Sequence, residues 1–243
     1  MIKISEIEDE CEQQRVKADL ATPDPLDTSP IKVLYYGHSF INHYTKWEER
    51  HPELFNLGFQ TDDVVMFYHG DGGACIDALL QDHNLAHVER IAPEVVIIEA
   101  GTNDISKDMF GPSLLQLKME TLIKEMKDRR VRFVVVNQVL YRGEAAYGEL
   151  PKKERKMAMR LFQSKAVSFN LLCAKNIPLI PNCMYKKHPG LWKNIDQLVN
   201  RRGVHLNGAG HMKLYNSLRS AVIRVKRKIR SAKYMQHPIV VLN

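Results

Sequence analysis

The 243-residue chain contains no G-x-S-x-G and no G-x-x-x-x-G-K-[ST] segment. The first absence removes the sharp strand-to-helix nucleophile turn of the α/β-hydrolase pattern, and the second removes the backbone cradle for nucleotide phosphates. No apolar run approaches the roughly 18 residues of a membrane span. Residues 1–15 are polar and acidic where a secretory signal would be basic and then apolar. A soluble intracellular protein, cytoplasmic or nuclear, is the expectation. The four cysteines, Cys11, Cys75, Cys173 and Cys183, form no C-x-x-C pair, and no N-x-[ST] acceptor accompanies them; this suits reduced thiols. Cys173 and Cys183 read as small core residues, since a tetrahedral zinc site needs clustered ligands.

Acidic residues are also absent after Asp196, whereas Arg201, Arg202, Lys213, Arg219, Arg224, Lys226, Arg227, Lys228, Arg230 and Lys233 follow it. These cations exceed the formal net charge of +7, so the rest of the chain is slightly acidic. A basic C-terminal helix of this kind has two readings. It contacts nucleic acid or an anionic surface, or it is a solvated helix end whose cations suit the negative pole of the helix dipole.

What is present is the alternation of apolar runs and amphipathic stretches expected of βαβ units. Length and composition suit one α/β domain of about 200 residues plus tails. Residues 1–30 end in A-T-P-D-P-L-D-T-S-P, whose prolines break regularity, and read as a flexible leader. Residues 31–231 form the expected domain and residues 232–243 a tail, in which P-I-V-V-L suggests an edge strand or docking segment. The expected strands are residues 32–36, 64–68, 94–100, 131–136 and 177–180. Helices are expected over 75–82, 112–128 and 151–175, with a last one from an Asn207 N-cap to about Ser231. This pattern predicts an α/β fold: a three-layer α/β/α sandwich around a five-stranded parallel, flavodoxin-like sheet.

Three short motifs sit where such a sheet gathers functional residues. Gly37-His38-Ser39 and Gly101-Thr102-Asn103-Asp104 each follow an apolar run, and Gly203-Val204-His205-Leu206-Asn207 precedes the last helical pattern. Residues just past strand C-terminal ends converge on one crevice, so a hydroxyl, an amide and an imidazole can meet there. Together they suit acyl transfer. Over roughly residues 31–225 the chain resembles the SGNH hydrolases, the GDSL-like lipase and acylhydrolase superfamily. Their G-D-S block appears here as G-H-S, with His38 in place of Asp. Their second-block glycine matches Gly73 within G-D-G-G-A-C-I-D-A-L-L, and their G-x-N-D block is intact. Their D-x-x-H block appears as R-x-x-H, with Arg202 in place of Asp.

The resemblance implies Ser39 as nucleophile and His205 as base, with an oxyanion hole of the Ser39 and Gly73 N–H groups and the Asn103 amide. His38 and Asp104 then support their loops. Arg202 cannot accept a hydrogen bond and would oppose imidazolium formation. A Ser39–His205 dyad without cofactor, acting on a small acyl ester, is the expected arrangement. The alternative is a degenerate SGNH fold serving as a binding module with a nucleic-acid-contacting basic face. Esterase-like domains of this superfamily also occur in retroelement-encoded proteins, where a basic tail and proline-rich leader would fit. His83 and His87, four apart, lack a carboxylate to complete a metal set.

Overall fold

The computed structural model describes residues 29–192 and 194–236. The leader up to residue 28 and the P-I-V-V-L segment lie outside them. The first strand, β1 (Ile31–His38), is buried at every position except Lys32. That burial on both faces is what a parallel strand covered by two helical layers requires. Val33 and Tyr35 point into one core and Leu34 and Tyr36 into the other, following the two-residue period of a strand.

The remaining elements are α1 (Ser39–Glu48), β2 (Val64–Asp71), α2 (Ile76–Leu79), α3 (Asp82–Ile91), β3 (Val95–Glu99), α4 (Thr102–Ser106), α5 (Pro112–Asp128), β4 (Phe133–Asn137), α6 (Lys152–Asn176), β5 (Cys183–Lys186) and α7 (Gly208–Gln236). All five strands are parallel in the order β2-β1-β3-β4-β5, the flavodoxin-like arrangement. Phe40, Tyr44, Leu214 and Leu218 bring α1 and α7 onto one face; Leu79, Leu85, Met119 and Phe169 bring α2, α3, α5 and α6 onto the other. The winding direction reverses between β1 and β3, and in open α/β sheets the crevice at such a switch point is where ligands bind.

Several sequence expectations need correction. The apolar run at 177–180 is not a strand: Ile177–Leu179 is a 3-10 turn at the end of α6, because Pro178 has no N–H to give a sheet ladder and buried Ile177 packs into the core. The fifth strand is Cys183–Lys186. The helix expected over 75–82 splits into α2 and α3. Asn84 Nδ2 donates to Ala78 O at 2.9 Å, satisfying a carbonyl at the break. The last helix extends to Gln236 rather than about Ser231.

Much of its basic charge is held by the domain itself. Lys226 and Arg230 pair with Asp63, Arg219 donates to Leu57 O at 3.1 Å and covers the Phe59 ring, and Lys228 lies over Phe133. Arg224 and Arg227 are exposed. Among the described residues no helix is long and apolar enough to cross a membrane.

Candidate active site

Ser39 is the first residue of α1, directly beyond β1. The N-cap is His38, fully buried, whose Nδ1 accepts from the Phe40 N–H at 3.4 Å. Burial first, then the His205 and Arg142 charges, lowers the His38 pKa to about 3, so this imidazole is a neutral cap where an acid would be ionised. The register explains which loops meet. Gly37 pairs with Gly70 on one side and Glu99 on the other, so the turns that follow β2 and β3 emerge on either side of Ser39.

Gly73 lies in the turn after β2 with φ +77°, a left-handed conformation suited to glycine. Asn103, in the first turn of α4, donates from Nδ2 to Ala74 O at 2.9 Å, and Lys107 Nζ donates to Gly73 O at 3.2 Å. These bonds tie the two turns together. Buried Asp104 accepts from the Ile76 N–H at 3.1 Å. Its carboxyl pKa is raised by burial, and it holds the start of α2.

His205 arrives from the opposite direction. Its carbonyl accepts from Asn200 N–H at 2.7 Å, and Asn207 Nδ2 donates to Gln197 O and Val199 O. Asn207 Oδ1 accepts from Gly210 N–H at 3.0 Å, capping α7 as its sequence position predicts. The result is a distance of 3.0 Å between Ser39 Oγ and His205 Nε2.

Two neighbours of this pair escape a motif-based reading. The His43 ring stacks on His205 with centroids 3.7 Å apart and planes inclined by 21°. It lies four residues after Ser39, one helical turn, and helix periodicity is the only sequence signal that places it there. His43 also lines an open cleft of about 710 Å³ with Trp47, Arg50, Asn200 and His211. The second neighbour is Arg142, in the loop after β4, whose charge acts on both His38 and His205. Burial is the main cause that lowers the His205 pKa to about 4, followed by His43, Arg142 and Arg202. Arg202 itself is exposed, and its N–H donates to Asn200 Oδ1 at 3.1 Å. Among the described residues no carboxylate is found to act on His205.

His83 and His87 belong to α3, where His87 stacks on His69 and contacts Arg90. Among the described residues no group of three His, Cys, Asp or Glu side chains could hold a metal ion.

Solved structures of known proteins share this fold. A family 3 carbohydrate esterase from Clostridium thermocellum superposes with a TM-score of 0.58 at 14% identity, covering 83% of this chain and 99% of that one. A GDSL-like lipase from Bacteroides thetaiotaomicron gives 0.57 at 18% identity, covering 88% and 96%. The chain has the SGNH hydrolase fold. An acetyl xylan esterase gives 0.56 at 20% identity, covering 79% of this chain and 100% of that one. No family model matches the sequence, and no curated protein matches it significantly. Within the SGNH fold, the block-one, block-three and block-five residues of this chain fall at the ends of β1 and β3 and immediately before α7.

Proposed function

We propose that the chain is a serine ester hydrolase that cleaves small acyl esters through Ser39 and His205. The observation that carries this reading is the 3.0 Å approach of Ser39 Oγ to His205 Nε2, between residues 166 apart in sequence, which is hydrogen-bond reach for proton transfer.

In this mechanism Ser39 Oγ attacks the acyl carbon while its proton passes to Nε2 of neutral His205. The carbonyl π pair moves to oxygen, and the resulting oxyanion accepts from the Ser39 and Gly73 N–H groups and the Asn103 amide. Collapse breaks the bond to the alcohol oxygen, which takes the proton back from His205. Water then attacks the acyl-Ser39 ester by the same route, releasing the acid and restoring the hydroxyl. The weak point is the imidazolium, which burial, Arg142 and Arg202 disfavour and which no carboxylate among the described residues is found to stabilise.

The reading is tested with 4-nitrophenyl acetate. Ser39→Ala and His205→Ala should each reduce hydrolysis by 10³-fold or more, on the order found for members of such a catalytic unit. Residual rates equal to that of the unaltered protein would overturn it.

The lowered His205 pKa has a kinetic signature. The base must be neutral to accept the Ser39 proton, and burial keeps it neutral down to about 4. kcat/KM should therefore be level from about pH 5 to 8 and fall only as pH drops through about 4. An acid limb near 6.5, the ordinary histidine value, would contradict the assigned environment.

The departure at position 202 gives a gain-of-function test. Arg202→Asp supplies an acceptor for the imidazole and removes an opposing cation. It should raise kcat on 4-nitrophenyl acetate about tenfold, well short of the 10⁴ that separates an oriented triad from a misoriented one. Arg202→Ala, which removes charge without adding an acceptor, should give a smaller increase. No increase in either variant would show that position 202 does not limit the dyad.

A further inference from the structure

Arg142 sits in the loop that the backbone ties to the His205 loop, and among the described residues it has no acidic partner. Its backbone is locked there: the Gly143 N–H donates to Gly203 O at 2.8 Å, two residues before His205. A Cβ on Gly143 would come within 2.5 Å of Asp196 Oδ1 and 2.9 Å of Val199 Cγ2, so the loop is closely packed at this residue. The guanidinium lies 5.5 Å from the Phe162 ring centroid, and its buried Nε has no hydrogen-bond partner. Among the described residues no Asp or Glu forms an ion pair with it. Asp196, which approaches Gly143, is engaged by the Glu144 N–H at 2.8 Å.

A half-buried guanidinium without a counter-charge is costly to keep, and its planar fork matches carboxylate and phosphate oxygens. The charges around the dyad point the same way. Arg142 acts on His38 and on His205, Arg202 adds to its effect on His205, and no carboxylate among the described residues is found to answer them. A reaction that must make an imidazolium in this field gains from any negative charge the substrate brings. On the hydrolase reading above, we propose that Arg142 anchors an anionic group, carboxylate or phosphate, carried by the ester substrate, and that this charge takes the part of the acid absent at position 202.

The test separates binding from turnover. Ser39→Ala protein, titrated calorimetrically, should bind 4-acetoxybenzoate or 4-acetoxyphenyl phosphate at least tenfold more tightly than neutral 4-acetoxybenzamide. The stronger of the two anions identifies the preferred group. Adding Arg142→Gln should bring the affinities within about twofold, Arg142→Lys should retain part of the difference, and Arg202→Gln should retain most of it. Equal affinities in Ser39→Ala protein, or a preference that survives Arg142→Gln, overturn the anchor. In the unaltered protein, kcat/KM normalised to the hydroxide-catalysed rate should favour the anionic esters by tenfold or more. Ser39-dependent hydrolysis without that preference removes the anchor and leaves the hydrolase. Arg142-dependent anion binding without hydrolysis of any ester supports the anchor and removes the hydrolase.

Discussion

Asn103→Ala is expected to lower kcat on 4-nitrophenyl acetate by about 10²–10³, with KM changed less than about threefold, because the loss of one oxyanion donor costs roughly 3–4 kcal/mol in the transition state and little in the ground state. The Asn103 side chain has two N–H groups. One is engaged by Ala74 O at 2.9 Å, which fixes the amide in place, and the other is the donor assigned to the oxyanion. The substitution also frees the Ala74 carbonyl, so thermal unfolding is measured alongside. A kinetic loss with a melting temperature within a few degrees of the parent assigns the effect to catalysis. A kcat loss below threefold would remove Asn103 from the oxyanion hole.

Gly37→Ala is the substitution with the largest expected effect on stability. Gly37 lies near the end of β1, an inner strand paired to β2 and β3, and a Cβ there would overlap the backbone carbonyl of Glu99. A flexible side chain can turn aside; a strand carbonyl held in a parallel ladder cannot. The expected cost is about 3 kcal/mol or more, equivalent to a fall of roughly 6–12 °C in the melting temperature for a domain of this size. Because Ser39 is two residues further on, activity should fall with it even below the transition. A melting temperature unchanged within 2 °C would contradict the packing of β1 against β3.

The contrast between β3 and β5 shows what the sequence makes legible. Val95–Glu99 is buried throughout, so its run of β-branched residues announces a central strand. Cys183–Lys186 has only four residues and is half-exposed at Tyr185 and Lys186. The more apolar stretch just before it, which owes its character to core packing at the end of α6, carries the misleading signal. The candidate site divides in the same way. Ser39 and Asn103 follow strands and His205 precedes a capped helix, so local pattern and known topology locate all three. His43 has no motif of its own and matters because its ring meets His205. Arg142 is brought to the site by a backbone contact between Gly143 and Gly203, a tertiary event with no local signature. The substitution at 202 is readable as a missing acid, but the burial of His205 and the approach of His43 and Arg142 to it emerge only once the loops are assembled.

Activation of Ser39 as a nucleophile, as proposed above, is directly measurable. A fluorophosphonate probe forms a covalent bond with a serine oxygen only where a base removes its proton, and peptide mass spectrometry locates the adduct. One adduct is expected, on Ser39, absent in Ser39→Ala and at least tenfold slower to form in His205→Ala. An unlabelled Ser39 in folded protein, or labelling that proceeds at the same rate without His205, would contradict it.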